Sequence, residues 1–105
     1  MNTEAAKLFK ALGDENRLEI LMLIKEKEIC ATDILGNVSI GQSTLSHHMK
    51  ILCECGMVNC RKSGKQTYYS ISHDGAMQAE AYIEEFIPSE KETASEKKSI
   101  DVVLL

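Results

Sequence analysis

What this chain lacks narrows its class first. No apolar stretch approaches the roughly 18 to 20 residues that a membrane helix needs, and the opening MNTEAAKLFKALGDE carries no signal-peptide core. A cytoplasmic protein with no membrane partner is therefore expected. Without an export signal, the four cysteines (Cys30, Cys53, Cys55 and Cys60) do not read as disulfides. They read as buried, metal-binding or redox-active thiols of a reducing compartment. The sequence offers no nucleophile–base pair, phosphate-cradling glycine loop or catalytic zinc spacing, so no enzyme is expected. No internal repeat is present, and 105 residues suit one domain with one modest core. Proline occurs once, at Pro88, where it closes a helical pattern.

What is present is ordinary in amount and uneven in placement. Hydrophobic residues make up 44% and charged residues 27%, as in a typical globular domain. The net charge of −4 would disfavour nucleic acid if it were spread evenly. It is not. Residues 1–40 hold five basic and seven acidic side chains, residues 41–73 four basic and one acidic, and residues 74–105 three basic and eight acidic. The middle third is a cationic patch on an acidic protein. Phosphates respond to that local charge, because screening removes effects beyond about 8 to 10 Å.

Periodicity supplies the elements. Ala5, Leu8, Phe9 and Leu12 mark one face of a helix stopped by Gly13. Asp14 is placed to cap a second helix carrying Leu18, Leu21, Met22 and Ile24 on its apolar side. CATDILGN (30–37) predicts a short third helix, NVSIGQ a turn, and STLSHHMKILCECG (43–56) a fourth helix. MVNCRKSGKQTYYSIS holds two β-prone runs around Ser63-Gly64-Lys65, a hairpin signal. Ala76, Ala79, Ile83 and Phe86 return to helical spacing. The fold class read from this order is mainly α with a small β-hairpin, α-α-α-α-β-β-α, a winged helix-turn-helix. Residues 1–88 form the domain; residues 89–105 read as a charged tail with the apolar end IDVVLL.

On a helical wheel, Ser43, Ser46, His47, Lys50 and Glu54 share one side of the fourth helix, and Leu45, Met49 and Leu52 the other, with His48 beside them. The apolar side would pack the helix on the domain, with His48 packing or hydrogen bonding there. The outward side offers hydroxyls, an imidazole and an ammonium, groups suited to phosphates and base edges. Gln42, Ser43 and Thr44 stand at the end that such a helix points at bases. The expected DNA contacts are Gln42, Ser43, Thr44, Ser46, His47 and Lys50, with Arg61, Lys62 and Lys65 from the wing. A merely solvated helix face is the plainer alternative, as is a winged helix that binds protein instead of DNA.

FKALGDENRLEILMLI, STLSHHMKIL and GMVNCRKSGKQTYYSIS together resemble the ArsR/SmtB family of small bacterial metal-responsive repressors, over residues 5–87. The resemblance implies a homodimer formed by the first and last helices. It also implies binding to a palindromic double-stranded operator and release when an inducer arrives. Family members sense thiophilic ions of the arsenite, cadmium or lead type through cysteines. Here Cys30 in EICATDI matches the first cysteine of the family's ELCVCDL site, and Thr32 stands where the second would be. Cys55 matches a cysteine that precedes the helix-ending glycine in cadmium- and lead-sensing members, while Ile51 replaces its partner. The metal candidates are thus a subset of Cys30, Cys53, Cys55 and Cys60. Cys53 and Cys55 lie about 160° apart on a regular helix, and Cys60 shares strand parity with Val58, which predicts that it faces inward. The same thiols could instead respond to oxidation or persulfide, or be inert core residues.

Overall fold

The computed structural model describes residues 2–89. Helices begin where short polar side chains can satisfy their free N–H groups. Asn2 accepts from the Ala5 N–H at 2.9 Å to open α1 (Thr3–Leu12), and Asp14 accepts from the Arg17 N–H at 3.0 Å to open α2 (Glu15–Ile24). A two-residue strand, β1 (Ile29–Cys30), leads into α3 (Ala31–Leu35), and a turn leads into α4 (Gln42–Glu54). The hairpin β2 (Val58–Ser63) and β3 (Gln66–Ile71) follows, and Ser72 caps α5 (His73–Glu84) by accepting from the Gly75 N–H at 3.0 Å. This is the winged helix-turn-helix order expected, with α3 and α4 as the helix pair and β2–β3 as the wing.

The extra strand corrects the expected order. Cys30 ends β1 and sits at the N-cap of α3, so it lies outside the helix that the sequence begins there. Two residues are too few to show a period of two, and β1 exists only because β3 offers it an edge. The sheet order is β1-β3-β2, antiparallel throughout, with Ile29 opposite Tyr69, Cys30 opposite Tyr68, Cys60 opposite Tyr69 and Arg61 opposite Tyr68.

The core gathers Leu8 from α1, Ile20, Leu21 and Ile24 from α2, Ile34 from α3, Leu45, Met49 and Leu52 from α4, and Met57 and Val58 at the base of the wing. In α2 the inward stripe is not the expected one. Ile20 is fully buried, whereas Leu18 and Met22 are 48% and 64% exposed. Apolar residues surround this helix, so its sequence marks no single face, and packing against α4 selects the Ile20–Ile24 stripe. On α5, Ala76, Ala79 and Tyr82 rest against the core, while Met77 and Ile83 point outward, as do Phe86 and Ile87 just beyond it.

One close approach ties α5 to the end of α4. A β-carbon on Gly75 would stand 1.9 Å from the Gly56 carbonyl oxygen, in the turn (Gly56 φ +89°) that ends α4. The Ser72 N–H donates to the Met57 carbonyl at 2.8 Å beside it. The tail expected over 89–105 lies, from residue 90 on, outside the described residues.

Candidate nucleic-acid interface

α4 divides as its sequence predicts. Leu45, His48, Met49 and Leu52 are buried, Ser43, Ser46, His47 and Lys50 are exposed together on the opposite side, and Gln42 and Thr44 are exposed at the first turn. Gly41 at its N-cap brings no side chain to the first N–H groups, so the start of the helix presents free donors beside Gln42, Ser43 and Thr44. The buried imidazole of His48 is held from α2: its Nδ1 lies 3.0 Å from Arg17 Nη1.

The wing turns through Gly64 (φ +62°) and Lys65, the pattern of a type II′ hairpin, whose twist suits paired strands. Lys62 and Lys65 are exposed, and among the described residues neither they nor Lys50 form an ion pair. Arg61 differs. Its Nη2 and Nε donate to the two carboxylate oxygens of Glu28 at 2.7 and 3.0 Å, and its guanidinium lies 4.6 Å from the centre of the Tyr68 ring. That two-pronged bond holds the Glu28 carboxyl below its ordinary range and raises Arg61 in turn. The Arg61 charge is therefore already matched, and the free cations of the wing reduce to Lys62 and Lys65. Sequence reasoning missed Glu28, because nothing local links it to a residue 33 positions downstream. It missed Arg17 as a partner of α4 for the same reason.

The four cysteines do not assemble. Cross-strand partners share a sheet face, so Cys60 stands with Tyr69 and Ile29 on one face, and Cys30 with Tyr68 and Arg61 on the other. Cys53, at the end of α4, lies within electrostatic reach of Cys60 and of Cys55. Burial pushes the Cys53 thiol up to about 11, and the negative charges available to Cys60, Cys55 and Glu54 add to that push. Burial likewise raises the Tyr69 phenol, with Cys60 and Cys53 contributing. Cys55 turns elsewhere: its Sγ donates to the Leu52 carbonyl at 3.3 Å, and it borders a cavity of about 380 Å³ with Leu8, Gly75 and Tyr82. Cys60 is exposed, against the inward placement expected, because the wing leaves the body of the domain after Val58 and nothing covers the next residue on that face. Among the described residues, no group of three or more His, Cys, Asp or Glu side chains could hold an ion. The expected ligand set thus separates into a Cys53–Cys60 neighbourhood, Cys55 towards α1 and α5, and Cys30 behind the sheet.

The chain is similar in sequence and fold to known proteins. The pattern of bacterial regulatory proteins of the arsR family matches residues 14–59. The chain is 43% identical over 70 residues to the arsenical resistance operon repressor of Staphylococcus aureus, covering 67% of each. It is 33% identical over 93 residues to a homolog of the cadmium resistance transcriptional regulatory protein CadC from the same species, covering 88% of this chain and 74% of that one. In three dimensions it is similar to the homodimeric winged helix-turn-helix DNA-binding domain of a possible ArsR-family transcriptional regulator from Mycobacterium bovis. The TM-score is 0.66 at 26% identity, over 86% of this chain and 87% of that one.

Proposed function

The chain belongs to the arsR family of bacterial regulatory proteins, and from that premise we propose that it is a homodimeric transcriptional repressor released from its operator through its cysteines. The family is one of transcriptional regulators, not enzymes. The observation that carries the DNA-binding reading is the outward side of α4. From Gln42 to Lys50 it holds hydroxyls, an amide, an imidazole and an ammonium with no carboxylate. Lys62 and Lys65 extend the same chemistry onto the wing. Gln42, Ser43, Thr44, Ser46 and His47 read base edges and phosphates, and Lys50, Lys62 and Lys65 neutralise phosphates. Arg61 reaches DNA only by giving up Glu28, so its share is the smallest of the wing cations.

The inducer is a thiophilic ion of the arsenite, cadmium or lead type, the class that soft thiolates select and that the relatives' names concern. Cys53 and Cys60 are the first pair of ligands. Further donors must come from a second copy or a rearranged chain, since Cys30 and Cys55 face other ways. A second reading rests on the same pair. Two neighbouring thiols suffice for a disulfide, formed when Cys53 and Cys60 together lose two protons and two electrons to a peroxide, which becomes two waters. Either event would strain the junction of α4 with the wing. Residues 1–88 hold all of these parts.

The test selects operator sites from a random DNA pool with the fully reduced protein, then titrates the complex with cadmium and, in parallel, arsenite. Thiolate-to-metal absorption and DNA anisotropy are followed in one cuvette. Absorption saturating at a fixed ratio as DNA is released supports the metal reading. Absorption saturating with DNA still bound makes the metal site incidental. If neither changes but peroxide releases the DNA, the disulfide reading takes its place.

A further inference from the structure

The buried polar residue of the described core is His48, 7% exposed, on the inner side of the DNA-reading helix. Its partner, Arg17, is itself largely buried, with 12% of its side chain exposed. The Arg17 guanidinium ties three helices at one point. Its Nε donates to the Ala11 carbonyl at 2.6 Å and its Nη2 to the Lys10 carbonyl at 3.4 Å, at the end of α1. Its Nη1 stands 4.0 Å from the Asp14 carboxylate, which caps its own helix, and 3.0 Å from His48 Nδ1 on α4. The carbonyls at the end of α1 receive a cation, the arrangement the helix dipole favours.

A guanidinium has donors and no acceptor, and it keeps its proton in proteins. His48 Nδ1 must therefore accept, which leaves its ring neutral with the proton on Nε2. An imidazolium there would set donor against donor, cation against cation, in a site with little water. We propose that Arg17 is a positioning residue for DNA recognition, fixing the pitch of α4 against α1 and α2 through a neutral His48, and that protonating His48 undoes it. The groups facing His48 are Arg17 and Asp14 from α2, the Lys10 and Ala11 carbonyls beyond Arg17 from α1, and His47 beside it on α4, with ring centres 6.2 Å apart. The Asp14 carboxylate accepts from the Arg17 N–H at 3.0 Å, and its charge acts on both Arg17 and His48. It makes no direct hydrogen bond to the imidazole, so it offsets an imidazolium less than the Arg17 guanidinium, 3.0 Å from Nδ1, opposes it.

The inference rests on α4 being the reading helix, so its test has one arm with DNA and one without. With DNA, specific and non-specific binding are measured by anisotropy from about pH 7.5 to 5.5, the range in which imidazoles titrate. Arg17→Lys keeps the charge but loses the fork. It should weaken specific binding about tenfold or more at pH 7.5, the loss expected for a hydrogen bond to a charged group, with non-specific binding unchanged. His48→Gln can accept from Arg17 without titrating; it should bind as wild type at pH 7.5 and lose the acid-induced weakening. Without DNA, ¹⁵N imidazole shifts should show His48 held with its proton on Nε2 in the wild type and exchanging between tautomers in Arg17→Lys. Circular dichroism confirms that each variant folds, and His48→Gln serves if Arg17→Lys does not. A wild-type tautomer with the proton on Nδ1, or acid weakening that persists in His48→Gln, overturns the proposal. If no sequence is selected from the pool, the repressor reading has failed, and the tautomer still decides the clamp.

Discussion

Cys53 shows how the fold sets the chemistry available to one side chain. Its thiol is pushed to about 11 from an ordinary 9.0, chiefly by burial. At neutral pH the fold thus leaves about a hundredfold less thiolate on Cys53 than an unfolded chain would carry. Iodoacetamide should label Cys53 about a hundred times more slowly in the native protein than in urea at equal pH, as read by mass spectrometry. Comparable rates would mean that the thiol is not shielded. The sign for stability follows from the same shift. The folded value lies above the unfolded one, so the neutral thiol's contribution is complete below pH 9 and is lost as pH rises through about 11. The melting temperature should fall across that window, and less steeply in Cys53→Ala. Tyr69, raised by burial, adds loss of the same sign, so the slope should shrink without vanishing. Under the proposed metal reading, an ion that binds Cys53 must displace its thiol proton, so apparent affinity should rise by about tenfold per pH unit for each thiol proton released.

At the scale of elements, the joint between α4 and α5 is the least tolerant place in the described fold. Gly75 leaves no room for a β-carbon against the Gly56 carbonyl, and a backbone atom cannot swing aside as a side chain can. Gly75→Ala should cost about 1–3 kcal/mol, the range for an overpacked contact, read as a lower urea midpoint. Gly13→Ala, whose nearest neighbour would be at 3.4 Å, should stay within about 1 kcal/mol of wild type. A Gly75→Ala protein as stable as wild type would mean that α5 is not seated on this turn. The wing makes a separate prediction. Lys62→Ala and Lys65→Ala should each lower the salt-dependence slope of operator binding by about 1, whereas Arg61→Ala should change it less, because Glu28 already matches that charge. The same elements show what a sequence reveals. α4 was legible in its facing, since alternating chemistry around a helix of 13 residues marks both faces. It ends at Glu54, two residues before the expected Gly56, because Cys55 caps it. α2 was legible as a helix but not in its facing, because Leu18, Ile20, Leu21, Met22, Leu23 and Ile24 surround its second half and leave no polar side there to point outward. β1, the Arg61–Glu28 pair, the Arg17–His48 contact and the separation of Cys30 from Cys60 were not legible. Each depends on which strands or helices meet, and each joins residues some 30 or more positions apart.

At the scale of the whole molecule, the described residues leave an apolar surface uncovered on α5 and α1. α5 carries no buried residue, and Ile83, Phe86 and Ile87 present an apolar row at its end, with Phe86 67% exposed. Phe9 of α1 reaches the same place, its ring 6.3 Å from that of Phe86. A surface of this kind on the two helices that pack together is where a second copy would bury the most apolar area. A dimer would also set two α4 helices a fixed distance apart for two half-sites of DNA. Ile83→Glu with Ile87→Glu tests this, since both side chains are largely solvent-exposed within the chain and their loss should leave folding within about 0.5 kcal/mol each. Sedimentation should shift from dimer to monomer, and operator affinity should fall by about a hundredfold or more as the two half-sites lose their linkage. Non-specific binding per chain should be retained, because Lys50, Lys62 and Lys65 are untouched. If the double variant sediments as a dimer and binds as wild type, α5 is not the interface. Leu18 and Met22, an exposed apolar pair on α2, would then be the next surface to charge.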